Sequence, residues 1–130
     1  MKAYWDASTI VEAASDLLLR MRLRNEGGVT RAHSLAESFS ALTGGKLAIR
    51  LDAGAATEVL KNLAADFEFI DVSAEEVLSA LRQARELGVR GGRVHDYLHA
   101  IAAEKSGAVE LLTLDRKDFA GLTKLNVQQV

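Results

Sequence analysis

The sequence predicts an α/β fold of three layers, an α/β/α sandwich in which helices cover both faces of a central parallel sheet. Short apolar stretches of β type alternate with longer stretches whose apolar residues recur at helical spacing. Strands separated by helices pair in parallel through right-handed crossovers, which put helices on both faces. With 130 residues, the chain can bury about two thirds of its unfolded surface as a single domain, residues 1–130.

The first half of the chain begins with a short predicted strand, residues 2–5. From Ser8, the apolar residues follow the spacing of one amphipathic helix that ends near Gly27 and Gly28. The stripe expected to be buried, or to form a dimer face, consists of Ile10, Ala14, Leu17, Leu18 and Met21. An extended stretch at residues 29–30 precedes a second helix, which ends at Gly44 and Gly45. Its expected buried face consists of Leu35, Phe39 and Leu42.

The middle of the chain starts with residues 46–54, which fit either a loop or the lead-in to a third helix. The expected buried side of that helix consists of Val59, Leu60 and Leu63. A strand follows at residues 67–72, and Ser73 with Glu76 three positions later matches the capping box of a helix start. This fourth helix is expected to stop at Gly88. Its expected buried residues are Val77, Leu81 and Ala84.

The last part of the chain contains a helix after Gly91 and Gly92 that ends at Gly107. The apolar residues in register on it are Val94, Leu98, Ile101 and Ala102. Residues 109–114 form the most apolar predicted strand, and residues 125–130 form a final, weakly alternating one.

Composition limits the classes of function and compartment. Cysteine is absent, which excludes disulfides, thiolate nucleophiles and zinc–thiolate sites and favours a reducing compartment. The apolar runs are far shorter than the roughly 20 residues that span a bilayer, and the first residues lead directly into a strand rather than a signal peptide. We therefore expect a cytoplasmic protein that does not enter a membrane.

The charge balance offers no overall attraction to nucleic acid, because the formal net charge is −2. Arginines nevertheless gather in two local groups, and each group could neutralise phosphates beside an acidic centre or form a solvated helix face. The groups are Arg20, Arg22 and Arg24, and Arg82, Arg85, Arg90 and Arg93.

Four acidic residues lie where the hydrophobic pattern changes or a helix begins: Asp6, Glu37, Asp96 and Asp115. Asp6 and Asp115 each follow a strand, so both lie at the carboxyl edge of the sheet, where ligands bind, if their strands are neighbours. Each acid alone has an ordinary explanation as a cap, turn or solvated residue. As a cluster they favour cations, because two carboxylates about 4 Å apart repel by around 4 kcal/mol at intermediate dielectric. Mg²⁺ or Mn²⁺ suits such an oxygen-only site and can activate water for phosphodiester hydrolysis.

These acids occur within four short motifs, in the same order along the chain. The motifs are Asp6-Ala7-Ser8, Ala36-Glu37-Ser38-Phe39, Asp96 ahead of Ala100-Ile101-Ala102-Ala103, and Leu112-Thr113-Leu114-Asp115-Arg116-Lys117-Asp118-Phe119. Together, over essentially the whole chain, they resemble a PIN domain, and the ending Thr-x-Asp-x-x-Asp-Phe with three upstream acids is fairly specific. The length of the chain most resembles the VapC-like toxins of bacterial and archaeal toxin–antitoxin pairs.

The resemblance implies a metal-dependent endoribonuclease with a parallel sheet, usually a homodimer, that is inhibited by an antitoxin protein covering the acidic centre. It implies that Asp6, Glu37, Asp96 and Asp115 hold Mg²⁺ or Mn²⁺, with Asp118 as a candidate fifth acid. It also implies supporting hydrogen bonds from the hydroxyls of Ser8 and Thr113. No residue of the set is an obvious general base, which fits hydrolysis by metal-bound water. Tyr97 departs from the family pattern, which commonly has a small residue after the third acid.

Two other interpretations stay open. His95 and His99 share a helix face and come near the His-Glu-x-x-His pattern of zinc peptidases, although Asp96 is shorter than the glutamate of that motif and no third ligand follows. The second interpretation is a catalytically silent PIN-like scaffold that binds RNA or protein, whose acids only hold a partner's arginine.

Overall fold

The structure, a computed structural model, describes residues 2–44 and 50–130. Five parallel strands form one sheet in the order β3-β2-β1-β4-β5. The strands are β1 Tyr4–Trp5, β2 Gly28–Thr30, β3 Phe67–Phe69, β4 Glu110–Thr113 and β5 Asn126–Gln129. The sheet therefore confirms the predicted fold class, and β1 and β4 are neighbours at its centre.

The helices of the described residues connect these strands. They are α1 Ala7–Ala13, α2 Leu17–Glu26, α3 Ala32–Thr43, α4 Ala53–Ala64, α5 Ala74–Gln83 and α6 Arg93–Lys105, with a 3₁₀ helix at Arg116–Phe119. The predicted capping box is present, because Ser73 accepts from the Glu76 amide while the Glu76 carboxylate accepts from the Ser73 amide. Residues 46–54 were predicted as either a loop or the lead-in to a helix. Residues 46–49 lie outside the described residues, residues 50–52 are not helical, and α4 begins at Ala53.

Successive side chains of the central strands point to opposite faces of the sheet, so each face has its own apolar core covered by helices. Tyr4 and Leu111 belong to the apolar core on one face of the sheet, which also includes residues of α5 and α6. Trp5 and Leu112 belong to the core on the other face, which includes residues of α1 to α4. Successive side chains of a strand point to opposite faces, so these two neighbouring strands supply both cores.

The prediction of one helix from Ser8 to Gly27 is wrong. The first helix, α1, ends at Ala13, and a second helix, α2, begins at Leu17. Asp16 caps the start of α2, because its side chain accepts a hydrogen bond from the Leu19 amide at 3.1 Å. The buried residues of α2 are Leu19 and Leu23, while part of the predicted stripe faces solvent. The exposed members are Leu17, Leu18 and Met21.

The predicted buried face of α3 is wrong at Phe39, which is exposed. Leu42 is buried as predicted, and Leu35 is partly buried against the same core. Ser34 and Ser38 are buried as well, and the Thr30 hydroxyl donates to Ser34 Oγ at 2.8 Å, so the inward side of α3 is partly polar. The apolar stripe therefore identified only part of the side of this helix that faces inward.

The third correction concerns α5. Its buried residue is Ala80, whereas the predicted Leu81 is exposed. Ala80 and Tyr97 belong to the same core, and the Tyr97 hydroxyl donates to the Ala80 carbonyl at 2.9 Å, so a small residue of α5 packs toward α6.

Candidate active site

The candidate site lies at the carboxyl edge of the two central strands. Asp6 directly follows β1, and Asp115 lies two residues after the end of β4. Since β1 and β4 are parallel neighbours, both residues lie at the same edge, where α/β sheets bind ligands. Phe119 is buried in the core together with residues of α6, so the 3₁₀ helix that follows Asp115 is packed beside the helix that contains Asp96.

Asp6 is fixed through one of its two carboxylate oxygens. Oδ1 accepts hydrogen bonds from Ser8 Oγ at 2.7 Å, from the Thr9 amide at 3.0 Å and from Thr9 Oγ1 at 3.0 Å. The residue is buried, and it serves as the N-cap of α1. Since these bonds all converge on Oδ1, they orient the carboxylate and leave Oδ2 for another partner.

The two predicted supporting hydroxyls form hydrogen bonds at the carboxyl ends of β1 and β4. Ser8 Oγ donates to Asp6 and accepts from the Leu114 amide at 3.1 Å, so it links the first acid to the turn after β4. Thr113 Oγ1 accepts from the Asp115 amide at 3.2 Å, which shapes the same turn. Both hydroxyls therefore position backbone and carboxylate groups at the edge.

Asp96, Asp118 and Asp6 form an acidic group in which negative charges influence one another. Partial burial, followed by the charges of Asp118 and Asp6, raises the pKa of Asp96 to about 6. Burial and then the charges of Asp115 and Asp6 raise the pKa of Asp118 as well. Arg93 opposes both shifts without cancelling them. Carboxylates with raised pKa values are the expected result when unpaired acids lie close together.

Asp115 lies at the exposed side of this group. Its Oδ1 accepts from the Lys117 amide at 3.0 Å and caps the 3₁₀ helix. Its charge acts on Asp118, which is also exposed. The segment after β4 therefore supplies two acids on this side of the site, Asp115 and Asp118.

Glu37 has a different environment from the aspartates. Its Oε1 lies 3.3 Å from Arg31 Nη2 and 3.0 Å from His99 Nε2. Partial burial acts to raise the pKa of Glu37, but His99, Arg31 and His33 outweigh it, so the pKa is lowered. The contact with His99 is bent away from ideal hydrogen-bond geometry, so it is a polar contact weaker than a linear hydrogen bond.

His99 joins Glu37 to the centre of the sheet. Its side chain is buried, and Nδ1 lies 2.8 Å from the hydroxyl of Tyr4 on β1. Burial raises the pKa of Tyr4 above its ordinary value, which disfavours the charged form further, and the neutral hydroxyl can donate. Neither Tyr4 nor Arg31 was predicted to belong to the site, and the signal for Tyr4 was its position two residues before the first acid in the central strand.

Comparison with known proteins assigns the fold. No protein-family model and no curated protein matched the sequence. Among solved structures, the chain is similar to VapBC2 from Rickettsia felis bound to a DNA fragment from their promoter, at a TM-score of 0.71 and 20% identity over 99% of this chain and 98% of that one. It is also similar to PAE2754 from Pyrobaculum aerophilum, at a TM-score of 0.69 and 24% identity over 98% of this chain and 89% of that one.

The chain has a VapC-like PIN fold. Within this fold, the two predicted arginine groups are not equivalent. Arg22 on α2 pairs with Glu26 and with Glu110 at the start of β4, so it lies toward the opposite edge of the sheet from the acids. Arg93 on α6 lies near enough to Asp96 and Asp118 to lower their pKa values.

Whether the site can hold a divalent ion depends on the spacing and the ligand type of the acidic side chains. Among residues 2–44 and 50–130, no three Asp, Glu, His or Cys side chains are gathered closely enough to hold a metal ion as they stand. The donor set nevertheless consists of carboxylate oxygens whose repulsion a hard cation would relieve. The group therefore fits a cation in charge and in ligand type, and side-chain rotation would have to complete the coordination.

The same geometry weighs against zinc at the histidines. His95 is exposed and His99 is buried, although they are one helical turn apart. Tyr4 lies at Nδ1 of His99 and Glu37 lies at Nε2, so neither ring nitrogen is open to an ion.

No helix in the described part of the chain is long and apolar enough to cross a membrane.

Proposed function

We propose that this chain is a divalent-metal-dependent endoribonuclease and the toxin of a type II toxin–antitoxin pair. The observation that carries the proposal is the gathering of Asp6, Asp96 and Asp118 at the carboxyl edge of the sheet, where burial first, and then the charges of Asp118 and Asp6, raise the pKa of Asp96 to about 6. Carboxylates with a raised pKa mark a candidate functional site, and a divalent cation bound among them could hydrolyse phosphodiesters. The structural similarity to VapBC2 from Rickettsia felis supports the toxin role.

In this proposal each acid has its own task. Asp6, Asp96 and Asp118 would hold Mg²⁺ or Mn²⁺, and Glu37 and Asp115 would complete the ligand set from the two sides of the group. The ion, when bound, would supply a water of lowered pKa and stabilise the charge that develops on the phosphate. The chain itself orients Asp6 through Ser8 and Thr9, and Arg93 stands beside the acids as a counter-charge for the RNA backbone.

Partners of two kinds belong to the proposal. A cognate antitoxin would cover the acidic group, and the similarity to VapBC2 from Rickettsia felis supports such a partner. A second copy of the chain would form the expected homodimer. Exposed Leu17, Leu18 and Met21 on α2 support a protein partner of either kind, because contiguous exposed apolar residues mark interaction surfaces.

The test is cleavage of varied single-stranded RNAs by purified protein with Mg²⁺ or Mn²⁺, by EDTA-treated protein, and by Asp6→Asn. Asp16→Asn is the matched control, because Asp16 also caps a helix by accepting from a backbone amide but lies outside the acidic group. We expect cleavage that EDTA stops and that Asp6→Asn, but not Asp16→Asn, abolishes at an unchanged circular dichroism spectrum. Cleavage that survives in Asp6→Asn would overturn the proposal.

A catalytically silent scaffold is the competing proposal. The ion pair between Glu37 and Arg31 favours it, because an acid already paired with arginine needs no metal. The same assay separates the two, since a scaffold would bind RNA or a partner without cleaving it under any metal condition.

A further inference from the structure

His99 contacts Glu37 from the interior of the protein, and the proposed function assigns it no role. The imidazole is one of the few buried side chains of the described residues that can carry charge. A buried polar group needs partners, and its partners here are Tyr4 on β1 and Glu37 on α3. The three residues therefore connect the centre of the sheet to one candidate acid.

Both contacts of Glu37 converge on Oε1, from His99 Nε2 at 3.0 Å and from Arg31 Nη2 at 3.3 Å. Asp6 is also held at one oxygen, because its hydrogen bonds from Ser8 and Thr9 all go to Oδ1, whereas the His99 contact of Glu37 is a bent polar contact. In each carboxylate one oxygen is anchored and the other is left for a further partner. Anchoring of this kind orients metal ligands in proteins and strengthens their binding.

The proton positions follow from the partners. A carboxylate accepts hydrogen bonds and does not donate them, so His99 Nε2 carries a proton toward Glu37. In the neutral ring, Nδ1 is then an acceptor, and the Tyr4 hydroxyl donates to it over 2.8 Å. Tyr4 thereby selects the tautomer of His99 that can face Glu37.

We propose that His99, fixed by Tyr4, is a positioning residue that orients Glu37 for binding of the divalent ion. The inference rests on the proposed function. It assigns no contact between His99 and substrate or metal, because both ring nitrogens face protein groups. Its effect is exerted through the orientation of a single carboxylate.

The experiment measures Mn²⁺ affinity by calorimetry, without RNA, in the wild type and in Tyr4→Phe, His99→Leu and His99→Gln. His99→Leu should weaken Mn²⁺ binding about 10- to 100-fold, the usual cost of losing a group that orients a ligand. Tyr4→Phe should weaken it by a smaller factor, and His99→Gln should recover part of the loss, because its amide nitrogen can still donate to Glu37.

Tyr97→Phe is the matched control for Tyr4→Phe. Tyr97 is also a buried tyrosine, and its hydroxyl donates to the Ala80 carbonyl at 2.9 Å. Loss of either hydroxyl should lower the melting temperature by a similar amount, but only Tyr4→Phe should change the Mn²⁺ affinity. Nitrogen-15 NMR of the imidazoles provides a metal-free check, with a proton expected on Nε2 of His99.

The outcomes separate the two proposals. If the wild type binds Mn²⁺ and cleaves RNA while His99→Leu and Tyr4→Phe bind Mn²⁺ equally well, His99 is a packing residue and only the inference fails. A neutral His99 ring with its proton on Nδ1 alone would overturn it as well. If the wild type neither binds Mn²⁺ nor cleaves RNA, the proposed function fails and the inference fails with it.

Discussion

Two groups of acids at one edge of the sheet differ in how the protein treats their charge. Asp96 and Asp118 each have a raised pKa, because burial and then neighbouring carboxylates disfavour their charged forms. Glu37 is paired with Arg31 and His99, and its pKa is lowered. The fold therefore leaves negative charge uncompensated on one side of the edge and compensates it on the other.

The difference indicates which acids are at an energetic disadvantage in the fold without a cation. A carboxylate with a raised pKa makes the ionised folded state less stable, and a bound cation would reverse that effect. A carboxylate with a lowered pKa already stabilises the fold through its partners. The aspartates are thus the side of the edge that a cation would stabilise most.

The largest expected effect concerns catalysis by Asp96→Asn. We expect RNA cleavage to fall by more than about a hundredfold, since loss of a group that merely orients a ligand already costs about 10- to 100-fold. The measurement is kcat/KM at saturating Mn²⁺ for wild type, Asp96→Asn and the Asp16→Asn control. Equal activity in Asp96→Asn and the wild type would remove Asp96 from the proposed site.

The comparison becomes sharper when the same variant is studied without metal. At pH 7, Asp96→Asn should increase the free energy of unfolding by about 1–2 kcal/mol, after allowance for solvent screening of a half-buried group. The folded pKa of about 6 lies above the ordinary value of 3.8, so the ionised group destabilises the fold above pH 6 and the penalty disappears below pH 4. Urea unfolding at pH 7 and pH 4 measures the difference, which should vanish at the lower pH.

Glu37→Gln should change stability in the opposite direction. Removal of its charge leaves Arg31 and His99 without their carboxylate, so we expect a loss of about 1–2 kcal/mol at pH 7. A lowered folded pKa stabilises the fold above the ordinary value of 4.5, and this contribution is lost as the pH falls through the folded value. The exposed Glu58→Gln is the control, and a gain in stability for Glu37→Gln at pH 7 would contradict the contrast between the two groups.

Much of this edge could be predicted from the sequence. The alternation of strands and helices predicted a parallel sheet, and placing Asp6 and Asp115 after apolar strands put both at its carboxyl edge. The break before α2 also left a signal, because Asp16 is a natural N-cap that the apolar stripe concealed.

The pairing of Glu37 could not be predicted in the same way. It depends on side-chain rotamers and on His99, which lies 62 positions later in the chain and reaches Glu37 only because α6 packs on the same face of the sheet as Tyr4. The partly polar inner face of α3 is a further reason, because Ser34 and Ser38 give no hydrophobic signal of burial.

The smallest expected effect tests the counter-charge beside the aspartates. Arg93 donates to the Ala120 carbonyl at 2.6 Å and lowers the pKa values of Asp96 and Asp118, so its guanidinium stands between the acids and the turn after the 3₁₀ helix. If it also contacts one RNA phosphate, Arg93→Gln should reduce the salt dependence of RNA binding by about 0.7 in log Kd against log salt. Arg20→Gln removes the same charge from α2 and should leave this slope unchanged. Fluorescence polarisation with Asp6→Asn as the non-cleaving background measures both slopes, and an equal change in the two variants would mean that only net charge matters.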